Sequence, residues 1–349
     1  MNDLSADLSD IVTRHAYWSS LRGQRLLVTG ATGFFGIWLL ESFAKVNAEL
    51  NLQAELVALS RDPAAFVVVA PHLAKHPAIL WIKGDVRDFA FPEGRFDYVL
   101  HGAMTTAAET FHKTQSPLDK YDLVVDGTRR VLDFAVHAGV RKLLLLSSGP
   151  TYGRQPYDMN QITEDYCGAP LTTDRQFDFS VLGEAKRVAE LLSTVYAEQH
   201  GLQVAIARCF SFVGPYLPLD LHYAIGNFID NALRGQPIIV RGDGTPLRSY
   251  QYISDTMIWL WTLLLADAQG LFNVGSDQAC SIGELAQRVA QLSDSKQPVV
   301  IEQTPKTGVS PIRYVPSIAK AKHQLGLQNR IDLDAAISKT LDFYRKHYE

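Results

Sequence analysis

Three glycines, Gly30, Gly33 and Gly36, recur three apart in the segment RLLVTGATGFFG, where an apolar run gives way to residues at helical spacing. At such a strand-to-helix junction, glycines let backbone amides approach a pyrophosphate, and the positive end of the helix stabilises the anion further. The implied chemistry is dinucleotide binding, with Gly30, Thr32, Gly33, Phe34, Phe35 and Gly36 forming the turn. Glycines near a helix start also serve plain turns, but the flanking strand and helix select the phosphate-binding reading. Choice of dinucleotide falls to the tip of the next apolar strand, which reads Ser60, Arg61, Asp62. A guanidinium at Arg61 suits a 2′-phosphate and tilts the expectation from NAD slightly toward NADP. Asp62 turned inward would instead bind the ribose of NAD, and as a third option it caps a helix.

These residues need a scaffold, and its pattern is legible. RLLVTG, AELVALS, AILWIKGD, FDYVLHGA and RKLLLLSS read as successive buried strands, with helical stretches between several of them. That alternation predicts an α/β class, a Rossmann doubly wound parallel sheet. SPLDKYDLVVDGTRRVLDFAVHAG has apolar residues at helical spacing and a glycine stop, so it predicts a long helix on the sheet, and a second is expected over 180–199. Residues 1–23 form a polar leader with a short helix, 24–213 an NAD(P)-binding Rossmann domain, and 214–349 a smaller mixed substrate-binding lobe, from which the chain can return to the Rossmann domain.

Composition narrows the classes further. With 47% hydrophobic residues in 349, the chain can bury a sizeable core. A net charge of −4 offers no broad positive field for nucleic acid. Cys167, Cys209 and Cys280 are few, odd in number and far apart, which argues for a reducing compartment and against disulfides or a metal site. The N-terminus lacks the apolar core of a secretory signal, and no run approaches the roughly 18–20 apolar residues that cross a bilayer. The expectation is a cytoplasmic protein without a membrane partner.

The TGxxGxxG spacing resembles that of the short-chain dehydrogenase/reductase superfamily, and the length points to its extended branch, the NAD-dependent epimerase/dehydratase family acting on nucleotide sugars. The resemblance covers nearly the whole chain. It implies that Asp85 and Val86 in KGDVRD meet the adenine and that His101 to Ala103 in LHGAM form the turn beside the cofactor. Catalysis in that family uses a Ser or Thr after the fifth strand and a Tyr four residues before a Lys, which tunes the Tyr and holds the cofactor ribose. Ser148 and Lys186 match, and Arg187, Ala189 and Glu190 continue the likeness. Leu182 occupies the Tyr position, and an aliphatic side chain neither accepts nor donates a proton. Tyr152, Tyr157, Glu184 and Cys209 are candidate substitutes. A second departure is Val124, where the family often has Asn.

Gly149 and Pro150 follow Ser148, where 4,6-dehydratases resembling this family carry Asp and Glu and decarboxylases of glucuronate use a Glu. Both reactions are disfavoured, and C4 epimerisation or 4-keto reduction asks less of the loop. Glu164 and Asp165, nearby in sequence, read as local caps. RCFSFVGP resembles the family's RxFNxxGP with Ser211 for Asn, and GNFIDNALRGQPIIVRGDGTPLRSYQYISD resembles its nucleotide-sugar clamp. By that resemblance Asn227 contacts the diphosphate, Arg248 pairs with a phosphate oxygen, and Tyr252 and Asp255 fix the clamp. The expected function is NAD(P)-dependent modification of a nucleoside-diphosphate hexose by hydride transfer, in a homodimer formed by the two long helices. Leu182 leaves three alternatives open: a dehydratase with rearranged acid–base groups, a catalytically inactive binder of the same ligands, or an engineered Tyr-to-Leu change.

Overall fold

The computed structural model describes residues 4–104, 114–173, 180–221 and 223–348. The five expected strands form as β1 (Arg25–Thr29), β2 (Glu55–Ser60), β3 (Ile79–Lys83), β4 (Tyr98–His101) and β5 (Lys142–Ser148), followed by β6 (Gln203–Cys209). All are parallel, and nearly every residue of β1, β2, β4, β5 and β6 is buried, as expected of a sheet covered on both faces.

Beyond β6 come the short strands β7 (Phe212–Val213), β8 (Ile238–Val240), β9 (Leu247–Ser249) and β10 (Gln251–Tyr252). The chain then returns to the large sheet. The helix Ile253–Leu265 is buried at every position, so it can sit only within the core, and it delivers β11 (Gly270–Val274) parallel to β6. The sheet thus has seven strands in the order β11-β6-β5-β4-β1-β2-β3. Its order reverses between β1 and β4, opening a crevice at their C-terminal ends where open α/β sheets bind ligands. The remaining strands β12 (Ala279–Ser281), β13 (Val299–Ile301) and β14 (Arg313–Tyr314) join β8 and β9 in the lobe.

One face of the sheet is covered by the helices Phe34–Glu49 and Ile253–Leu265, and the other by the two long helices Pro117–His137 and Ser180–His200. Proline at the first turn and a Ser116–Asp119 capping box start the first of these long helices. The leader forms the helix Ser5–Arg14, which is locked rather than trailing: Asp7 accepts from the Tyr252 hydroxyl at 2.5 Å and Lys339 at 2.8 Å, and Arg14 pairs with buried Asp255 at 2.8 Å. Among the described residues no helix is long and apolar enough to cross a membrane.

Candidate functional site

The glycine turn lies in the β1–β4 crevice, and its three glycines do different things. Gly30 has φ +77°, and a methyl there would meet the Gly102 backbone at 2.6 Å. A methyl on Gly36 would sit 2.3 Å from the Gly30 carbonyl oxygen. Packing alone therefore demands glycine at both. At Gly33 the nearest atom would be 3.6 Å away, so packing demands nothing. Gly33 is the N-cap of the helix Phe34–Glu49 and is exposed with Thr32, and no side chain caps that helix. The opening amides thus lack a side-chain acceptor at a bare, positive helix end. These features fit a dinucleotide pyrophosphate. Phe34 and Phe35 stack at 5.6 Å, and Phe35 meets Phe212 edge-on at 4.8 Å, tying the turn to the exit of β6.

Beside it, Ser60 is buried and its hydroxyl accepts from the Asp62 amide at 3.2 Å. Asp62 caps the helix Pro63–Val69 by accepting from the Ala65 amide, so the inward, ribose-facing option is not the one the chain takes. Asp85 is gripped by Arg87 at 2.8 and 3.1 Å, which, with the nearby charge of Arg61, holds its carboxyl below the usual range. Val86 is buried against Gly127.

His101 requires a correction. Its ring, expected in the cofactor turn, is 1% exposed between Thr29 and Thr128, at 2.7 and 3.1 Å. Thr128 donates to the Val124 carbonyl, so it accepts from Nε2–H, and Nδ1 accepts from Thr29. Burial pushes this imidazole down to about 3, and it stays neutral. Thr29 in turn accepts from the Ala103 amide at 3.1 Å, so His101 shapes the turn from behind.

Ser148 ends β5, in register with Cys209 on β6. Lys186, on the Ser180–His200 helix, is 1% exposed and donates to the Leu146 carbonyl at 2.7 Å. Burial pushes its ammonium down to about 8, against the opposing pull of Cys209 and Glu190. An unfolded lysine titrates near 10.5, so below about pH 8 this shift costs the folded state on the order of 3 kcal/mol, a cost that vanishes as pH rises to about 10.5. Lys186→Met is therefore expected to melt above the parent near neutral pH, with the gap narrowing toward pH 10.5. Thermal melts across that window check it.

Leu182 is part-buried and packs on the apolar cluster beneath the sheet. Of the candidate substitutes, Tyr152 is fully buried, donates to Asn273 Oδ1 at 2.8 Å and is pushed up to about 12 by burial, so it cannot reach a substrate. The Cys209 thiol is likewise pushed up to about 12. Glu184 lies 3.7 Å from Arg187, and Tyr157 is 58% exposed. Glu164 accepts from the Asn273 amide, a structural tie rather than a helix cap.

From the lobe, Arg248 on β9 is in register with Tyr314 on β14, its guanidinium 5.7 Å from the Tyr314 ring. The Tyr314 hydroxyl lies over Gly149, where a methyl would be 2.4 Å from it, and both Ser148 and the Gly149 amide are close enough to favour its ionised form. The structure thus brings Arg248 and Ser148 both near one phenol. Sequence reasoning missed Tyr314, which no motif marks. Part-exposed Ser211 accepts through its carbonyl from the Gln251 amide. Asn227 is engaged by its own loop, its amide donating to the Tyr223 carbonyl at 2.8 Å. Tyr252, expected among the substrate contacts, is fully buried and committed to Asp7, so it anchors the leader instead. Asp255 accepts from the Arg330 and Ile331 amides.

Comparison with known proteins agrees with this geometry. The sequence profile of the NAD dependent epimerase/dehydratase family matches residues 26–275. UDP-glucuronic acid decarboxylase 6 of Arabidopsis thaliana is 33% identical over 314 residues, 88% of this chain and 85% of that one. A solved UDP-glucose 4-epimerase from Thermotoga maritima, holding UDP-glucose, superposes with a TM-score of 0.76 at 21% identity, over 93% of this chain and all of the other. A UDP-glucuronic acid 4-epimerase from Bacillus cereus, solved with NAD, gives 0.77 at 20% identity, over 93% of this chain and 100% of the other. The structures establish the Rossmann architecture, and the profile and the sequence relatives establish descent: the chain belongs to the NAD dependent epimerase/dehydratase family.

Proposed function

We propose that this chain is an NAD(P)-dependent enzyme acting at C4 of a UDP-linked hexose, by epimerisation or 4-keto reduction. The observation that carries the reading is the convergence of a sheet-borne serine, Ser148, and a lobe-borne guanidinium, Arg248, on one phenol. UDP is favoured because the relatives described above are UDP-sugar enzymes. Gly149 and Pro150 supply no ionising group, which favours epimerisation or reduction over the decarboxylation carried out by the named plant relative.

In this reading the amides from Gly33 to Gly36 hold the pyrophosphate, Asp85 and Val86 border the adenine, and Ser60 and Arg61 face the adenosine ribose. Arg61 tips the choice toward NADP. The nicotinamide, when bound, supplies hydride exchange at C4. Ser148 hydrogen-bonds the reacting oxygen, Lys186 holds the nicotinamide ribose, and Arg248 pairs with the sugar-nucleotide diphosphate, with Ser211 and Asn227 at the rim. Residues 24–213, with the returning segment 253–274, form the dinucleotide-binding unit, and the lobe supplies the sugar side. The same reading makes the protein a cytoplasmic homodimer through its two long helices, where Leu118 and Leu191 are 75% and 63% exposed.

Leu182 favours a second reading, a redox-silent binder of the same ligands. Incubation of the purified chain with UDP-glucose, UDP-galactose or UDP-glucuronate and either dinucleotide separates the two. A new sugar nucleotide on chromatography supports the enzyme, a UDP-pentose reveals decarboxylation, and saturable binding without product supports the binder. Arg248→Ala is expected to weaken UDP-sugar binding about 10- to 100-fold, the worth of a charge-assisted pair, while sparing the dinucleotide. Calorimetric titration with each ligand checks it.

A further inference from the structure

The helix that carries Lys186 has no proton-transferring group at Leu182, yet a hydroxyl from the lobe lies over Gly149, next to the end of β5. We infer that Tyr314, on lobe strand β14, is the proton-transferring residue of this site, taking the role for which position 182 offers no group. The inference rests on the C4 chemistry proposed above.

Four observations converge. The Tyr314 hydroxyl lies over Gly149, whose missing side chain makes room for it: a methyl would sit 2.4 Å from the phenol oxygen. Ser148 is its neighbour, so the phenol reaches the oxygen that Ser148 would bind. Cys209, paired in register with Ser148, lies close enough to influence both Tyr314 and Lys186, which places the lysine in the same neighbourhood. The ring is held by Phe210 at 4.7 Å and faced by Arg248, and the residue keeps some exposed surface, whereas Tyr152 has none. Gly149, which removes an acidic group from the catalytic loop, thereby admits a phenol from the lobe.

Burial raises the Tyr314 pKa, while Arg248, Ser148 and the Gly149 amide oppose the rise. The phenol is therefore protonated near neutrality and carries the proton that reduction requires. In the reducing direction, C4 of a 4-keto sugar gains hydride from the reduced nicotinamide dinucleotide. As the C4–O π pair moves onto oxygen, the Tyr314 O–H bond breaks and its proton forms the new O4–H bond. The phenolate left beside Arg248 regains a proton from solvent. In the oxidising direction the same atoms move in reverse.

The test compares wild type, Tyr314→Phe, Gly149→Ala and Tyr314→Phe/Leu182→Tyr in kcat, KM and the affinity for each ligand. Tyr314→Phe should lower turnover about 10²- to 10⁴-fold, the usual worth of a general acid. UDP-sugar and dinucleotide affinities should stay within a few-fold, so the loss falls on kcat and not on KM. Gly149→Ala, whose methyl displaces the hydroxyl, should reproduce the loss with the ring intact, and the double variant should recover part of the rate. Wild-type turnover in Tyr314→Phe, or a loss explained entirely by affinity, overturns this inference and leaves the proposed function standing. Binding by wild type without any turnover overturns both.

Discussion

Alanine at Gly36 should abolish dinucleotide binding by breaking the turn itself, whereas alanine at Gly33 should leave the protein folded and remove most of its affinity. The difference lies in what each methyl would meet. At Gly36 it would lie 2.3 Å from the Gly30 carbonyl oxygen and the Ala31 carbonyl carbon, and backbone atoms at a strand end cannot yield as a flexible side chain can. Overpacking of this kind commonly costs about 1–3 kcal/mol and here falls on main chain, so about 3 kcal/mol or more is expected. At Gly33 the backbone has φ −83°, ordinary for any L residue, and the nearest atom is 3.6 Å away. Gly33→Ala should thus be neutral or more stable by about 0.4–1 kcal/mol, through the unfolded chain. The methyl would stand where the pyrophosphate must approach the helix amides, and an affinity loss of about tenfold or more, ~1.4 kcal/mol, follows. Thermal melts with calorimetric dinucleotide titrations check both variants. Unchanged affinity in a folded Gly33→Ala protein would show that no phosphate sits over that residue.

Breaking the Glu190–Arg208 pair should be the most destabilising change of a single buried side chain near the site. Both are close to fully buried, and the guanidinium meets the two carboxylate oxygens at 2.9 and 2.6 Å. Arg208 also covers the Tyr152 ring at 4.2 Å, and Ser147 donates to Glu190 at 2.5 Å. Glu190→Leu strands a buried cation and unties the residue next to Ser148, for an expected loss of about 3–5 kcal/mol. Glu190→Leu/Arg208→Met removes both charges and should regain most of that, since an apolar pair of similar volume is often no worse than a buried ion pair. Urea unfolding of the three proteins measures the difference. Equal stability of the single and double variants would mean that the carboxylate serves Ser147 rather than Arg208.

Several residues of the site were readable only in part, for a common reason. The glycine turn and the strands before it announce themselves because their signal is local: three glycines between a strand period and a helix period leave few other structures. Side chains with polar tips are different, because their partners come from anywhere. Nothing within a few residues of Tyr252 reveals that Asp7, 245 positions away, accepts its hydroxyl proton, nor near Tyr152 that Asn273 does so across 121 positions. His101 looked like a cofactor residue from its place at the end of β4, and its ring is instead closed between two threonines.

By itself, then, the amino-acid order determined a parallel α/β sheet, the glycine turn after its first strand, and a leucine that can neither accept nor donate a proton at position 182, since residue type and short-range periodicity suffice for each. The tertiary structure alone decided that Ile253–Leu265 and β11 rejoin the sheet, that Tyr252 and Tyr152 are committed inside the core, and that Tyr314 of the lobe, with Arg248 over its ring, comes beside Ser148. Those facts depend on which distant segments pack against one another, and long-range packing sets that, with no imprint on local spacing.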